Sequence, residues 1–164
     1  MPPVFYLEIK HIQKLSHTIA KTFLDIDTEP IPPYETVKIN LLDSALARPK
    51  ATYDGKELYP TICEKGVALL YSMVKNHPFE NGNKRIATAS LLVFLYMNGH
   101  WFDLEKMTHN ELADTVLKLA NSPSRQQEAI HEDTCLWLKD KIVEIPETND
   151  HFDFVRKIFG LFRR

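Results

Sequence analysis

Apolar residues along this chain recur mostly at helical spacing, and one segment is apolar on every side. Leu7, Ile12, Leu15, Ile19 and Phe23 fall on one face, which predicts an amphipathic helix over residues 7–24. Pro30, Pro32 and Pro33 make 28–34 a loop. A short helix follows over 37–46 and ends before Pro49. Residues 48–59 break the pattern: Asp54-Gly55 favours a tight two-residue turn, so a small β-hairpin is predicted there. Thr61-x-x-Glu64 forms a capping box that opens a helix through Leu69, Leu70 and Met73 to about Asn76. His77-Pro78 stops it, because proline disfavours helical geometry in the residue before it.

The next helix begins near Asn83 and ends at Asn98-Gly99. Its interior, residues 86–97, is apolar all round apart from Thr88 and Ser90, so neighbours must cover it on most sides. It is the central helix of a bundle. Thr108-x-x-Glu111 and Ser124-x-x-Gln127 cap two more helices, one through Ala120 and one to about Val143. The reading is an all-α fold: a helical bundle over 1–146, with a small β-hairpin flap before the central helices. An amphipathic basic tail over 147–164 packs on the bundle or extends from it. There Phe152, Val155, Phe159 and Phe162 share a face, and Arg156, Lys157, Arg163 and Arg164 outnumber Asp153.

Composition narrows the function. A chain of 164 residues and 19.0 kDa suits one domain. A net charge of −2 and a pI near 6.4 argue against a nucleic-acid binder, yet a local cationic cluster can still hold a phosphorylated small molecule. Cys63 and Cys135 stand apart with no CxxC spacing, as reduced thiols do in a cytoplasmic protein. The N-terminus, Met1-Pro2-Pro3, lacks a secretory signal, and no apolar run approaches the roughly 20 residues that span a bilayer. A soluble protein with no membrane partner is expected. His11, His17, His100, His109, His131 and His151 show no metal-ligand spacing, so no cage of protein ligands is expected.

The chemistry is concentrated in His77-Pro78-Phe79-Glu80-Asn81-Gly82-Asn83-Lys84-Arg85, at the mouth of the central helix. An ordinary imidazole titrates near neutrality, which suits His77 to general-base work. Phe79 is a structural anchor for the loop. Asn81-Gly82-Asn83 brings backbone N–H groups to a helix start, where anions bind. Lys84 and Arg85 oppose the helix macrodipole there unless an anion sits among them. Arginine grips phosphate oxygens in pairs and lysine adds a point charge. The segment thus reads as a phosphate receptacle.

The nonapeptide closely resembles the Fic/Doc signature, H-x-F-x-(D/E)-(G/A)-N-(G/K)-R. Lys84, together with Thr88 where other branches carry a second arginine, resembles the Doc (death-on-curing) branch. The looser resemblance over about 35–143 includes residues 42–49, the hairpin and the helix order. It implies a Fic-fold bundle whose motif loop joins two central helices and binds ATP through Asn81, Gly82, Asn83, Lys84 and Arg85. It also implies that His77 takes the proton from a Ser, Thr or Tyr hydroxyl of a target protein. A flap of Ala51, Thr52, Tyr53, Asp54, Gly55 and Lys56 would dock that target by strand addition. Family members transfer nucleotidyl groups, usually AMP, and the Doc branch resembles a kinase that phosphorylates elongation factor Tu. A toxin restrained by a small antitoxin protein is the implied biology. One departure stands out: the family's Mg²⁺-binding acid falls at Asn81, an amide that brings no charge, so metal would be held mainly by bound nucleotide. Two readings stay open. One is an active transferase; the other is a degenerate nucleotide- or partner-binding module with little catalysis.

Overall fold

Thr61 opens the middle of the molecule: its side chain accepts from the Glu64 N–H at 3.2 Å, while Glu64 Oε2 accepts from the Thr61 N–H at 2.8 Å. The predicted capping box is therefore real, and it starts helix α3 (Ile62–Asn76). The computed structural model describes residues 3–22, 34–108 and 110–145. Its helices are α1 (Ile9–Thr22), α2 (Ile39–Ala47), α3, α4 (Asn83–Met97), α5 (Glu111–Asn121) and α6 (Gln127–Lys141). Two antiparallel ribbons, β1 (Thr52–Tyr53) with β2 (Lys56–Glu57) and β3 (His100–Phe102) with β4 (Ile142–Glu144), complete an all-α architecture with a small hairpin.

α3 and α4 lie at the centre, and the other helices pack around them. Residues of all six helices, among them Ile12, Leu42, Leu70, Ile86, Leu91, Leu95, Leu119 and Leu138, are almost wholly removed from water. Gly66 permits the close approach of α3 to α4 and α6. A Cβ there would stand 3.1 Å from Leu91 Cδ1 and 3.6 Å from a Phe94 ring carbon.

Polar side chains tie the chain ends and helix ends together. Asn98 accepts from the Phe5 N–H at 2.8 Å and donates to the Phe5 carbonyl at 3.0 Å, clipping the N-terminal segment to the end of α4. Glu111 takes hydrogen bonds from the Trp137 indole N–H at 2.8 Å and from Thr108, and pairs with Lys141 at 3.0 Å, joining α5 to the end of α6.

The hairpin forms as predicted, with Thr52 opposite Glu57 and Tyr53 opposite Lys56. Asp54 and Gly55 both have positive φ, 49° and 72°, as the tight turn requires. Other expectations are corrected. The short helix ends before Pro49 as expected, but it starts at Ile39 rather than residue 37, and a 3-10 turn over 48–50 follows it. The helix at 108 starts only at Glu111, although Thr108 still bonds to the Glu111 carboxylate. Ser124 caps nothing and sits in a 3-10 turn (Ser124–Gln126). The last helix ends at Lys141 rather than Val143. Ile142–Glu144 instead forms β4, paired with β3 (His100–Phe102), where Trp101 faces Val143. Branched and aromatic residues favour that extended pairing. The basic tail read at 147–164 and the proline loop before Tyr34 lie outside the described residues.

Candidate functional site

Three neighbours fix the end of α3 and with it His77. Lys75 Nζ donates to the carbonyls of Ala120 (3.0 Å) and Ser122 (2.5 Å), placing a cation at the C-terminal end of α5. Asn76 donates to the Leu41 carbonyl at 3.1 Å, and the Pro78 carbonyl accepts from the Lys38 N–H at 2.9 Å, so α2 grips both sides of His77. His77 itself is the exposed C-cap residue of α3, in the left-handed region with φ 48° and ψ 56°. That geometry costs a non-glycine residue roughly 1–2 kcal/mol and turns the chain sharply into the loop. None of Lys75, Asn76 or the Pro78 carbonyl was singled out from the sequence. A lysine and an asparagine in the last turn of a helix before His-Pro were the available signal.

Asn83 closes the loop. Its Oδ1 accepts from the Phe79 N–H at 2.9 Å and its Nδ2 donates to the Phe79 carbonyl at 2.7 Å. The second Nδ2 proton faces His77 Nδ1 at 3.4 Å. With its carbonyl and one N–H committed to Phe79, the Asn83 side chain presents a donor to the ring. Asn83 is only 7% exposed and Phe79 3%, so this clip is shielded from water. Phe79 lies in the core as an anchor. The side chain of Asn83, read from sequence as a phosphate ligand, is spent on the loop; its backbone N–H is what points along the helix start.

Gly82 precedes α4 with φ 77°, and no side chain caps that helix. The first intrahelical bond runs from the Ile86 N–H to the Gly82 carbonyl at 3.0 Å. The amides of Asn83, Lys84 and Arg85 therefore precede the helical ladder, with no acidic residue in their turn. Lys84 is exposed and Arg85 half-buried beside them. The Gly82 N–H is different: Asn81 Oδ1 accepts it at 2.6 Å. Asn81 is thus an uncharged residue whose carbonyl already has a donor, a poor ligand for a hard divalent cation. The residues present do not fit a Mg²⁺ site of protein carboxylates.

The flap is held apart from this loop in sequence and is exposed from Thr52 to Lys56, Tyr53 to 77%. Both of its edges lack a further strand among the described residues. Among the described residues, no helix is long and apolar enough to cross a membrane.

The Fic/DOC family model matches residues 6–95, more than half of the chain. This chain belongs to the Fic/DOC family. Toxin Doc of Mycolicibacterium smegmatis (strain ATCC 700084 / mc(2)155) is 49% identical over 59 residues, a stretch covering 36% of this chain and 45% of that relative. The match spans under half of that relative's length. No solved structure matches the chain.

Proposed function

We propose that this Fic/DOC protein is a cytoplasmic Doc-like toxin that transfers a phosphoryl or adenylyl group from ATP to a hydroxyl of a target protein. A small antitoxin protein restrains it in this reading. The observation that carries it is the start of α4: no side chain caps it, its first turn holds no acidic residue, and Lys84 stands exposed beside the three leading amides. His77, held by α2, α3 and Asn83, flanks that start and can receive the acceptor's proton. A bond forms between the acceptor oxygen and phosphorus as the bridging P–O bond breaks, and ADP or pyrophosphate leaves. The helix dipole, the amides and the two cations stabilise the charge that develops on the phosphate oxygens. No step is assigned to metal.

Similarity to a protein named Toxin Doc supports growth arrest as the outcome, and the exposed flap suits docking of an extended target segment. Expression should arrest growth, and His77→Ala should relieve it while lowering transfer by about 10²–10⁴-fold. Equal toxicity of the variant would count against catalysis. Supplying α- and γ-labelled ATP to a cell lysate shows which phosphate becomes protein-bound.

A second reading rests on Asn81. With its carbonyl turned to Gly82 and no charge, it favours a domain that binds nucleotide with little turnover. Calorimetry with ATP, with and without Mg²⁺, separates the two when joined to the labelled transfer assay. Tight binding without transfer, plus transfer appearing in Asn81→Asp, supports the sensor.

A further inference from the structure

Within the first turn of α3, facing the flap rather than the motif loop, lies a charge that core packing does not require. Lys65 is followed by Gly66-Val67-Ala68-Leu69-Leu70, and its side chain is 1% exposed, among the most buried of the described residues. Its ammonium stands 3.0 Å from Glu57 Oε1 on β2, while Glu57 is itself 52% exposed. The contact is an ion pair, not an aligned hydrogen bond, and Nζ has no hydrogen-bond partner. The Tyr6 ring centroid lies 5.8 Å away, and Lys50 Nζ lies 5.1 Å from the same ring.

Burying an ammonium is costly, and a single carboxylate with a weak ring contact offsets it only partly. An apolar side chain of similar volume would fill the same space at least as well. What the ammonium does that a methionine could not is hold β2. The hairpin needs holding: its four strand residues are all exposed, and beyond the strand pairing its backbone closure is the Leu58 N–H to Ala51 carbonyl bond at 2.9 Å. An isolated two-stranded ribbon is marginal in water. We infer that Lys65 is a positioning residue for the flap, a buried cation that fixes β2, through Glu57, on the first turn of α3 and so sets where an acceptor polypeptide docks. This inference rests on the transferase reading for its functional half and on the Glu57–Lys65 pair for its structural half.

Hydrogen exchange of the full chain, followed at residues 52–58 and at residues 67–74, tests the structural half directly. Lys65→Met should speed exchange of the flap amides by at least about tenfold and leave the α3 interior protected. Glu57→Gln, a change at a half-exposed site, should reproduce the effect, and the double variant should be no worse than either single one. In the transfer assay, KM for the acceptor protein should rise in both variants, with KM for ATP and kcat close to those of the unaltered chain. Flap exchange unchanged in either variant overturns the inference. So does exchange that rises equally in the flap and in α3, since a merely structural lysine would loosen both. If the unaltered chain transfers no label, the functional reading fails on its own, and the exchange data still decide the role of Lys65.

Discussion

Asn83 shows how much one side chain can organise. Phe79 is buried, so its N–H and C=O have no water to turn to if the clip is removed. Leaving such groups unpaired costs roughly 1–3 kcal/mol each. Asn83→Ala should therefore lower the urea midpoint measurably and abolish the proposed transfer, even though the backbone amide at the start of α4 is retained. A variant as stable and active as the parent would remove the clip from the mechanism. The residue type was visible in the nonapeptide, but its use was not. Sequence spacing puts an asparagine at a helix start; it does not say whether the amide turns outward to a ligand or back four residues to Phe79. Asn81 carries the same ambiguity, resolved only by its bond to Gly82.

At the scale of elements, α3 and α4 depend on their closeness. Gly66→Val places branched carbon against Leu91 and Phe94, where even a single Cβ is tight. Overpacking of this kind costs about 1–3 kcal/mol, which for a chain of this size lowers Tm by several degrees at roughly 2–4 °C per kcal/mol. Calorimetry checks it, and an unchanged Tm would mean that the helices part without penalty. The central helices were legible because their signals are local: a capping box at Thr61, His-Pro at the end of α3 and a run apolar on all sides for α4. The hairpin was legible for the same reason, through Asp54-Gly55. The β3/β4 ribbon was not. Its partners lie some forty positions apart, and three extended residues after a helix carry too little periodicity to outweigh the helical pattern of α6.

For the molecule as a whole, Glu111 and His131 shape the response to acid, alongside contributions of the same sign from Glu8 and His11. Hydrogen bonds from the Trp137 indole and the Lys141 ammonium, with those from Thr108, hold the Glu111 carboxyl down to about 2, well below the usual carboxylate range. Burial pushes the His131 imidazole below its ordinary value near 6.5. In both cases the unfolded chain takes up a proton that the folded one refuses, so stability falls as pH falls. The His131 contribution is present above about pH 6.5 and begins to be lost below it. That of Glu111 is present above about pH 4.5 and is lost toward pH 2. Urea midpoints between pH 8 and 3 should decline in two stages. His131→Leu should lessen the first and Glu111→Gln the second; a decline unaffected by either would place the acid sensitivity elsewhere.

The Ile145 N–H donates to the Gly99 carbonyl at 2.9 Å, so the backbone leaving β4 starts its onward path beside the far end of α4. Fifteen residues of helix put that exit about 22 Å along the axis from the motif loop. A reporter or affinity handle joined directly to residue 145 would therefore be attached at the pole away from His77. Donor binding and transfer could then be measured on tagged protein without the tag crowding the loop.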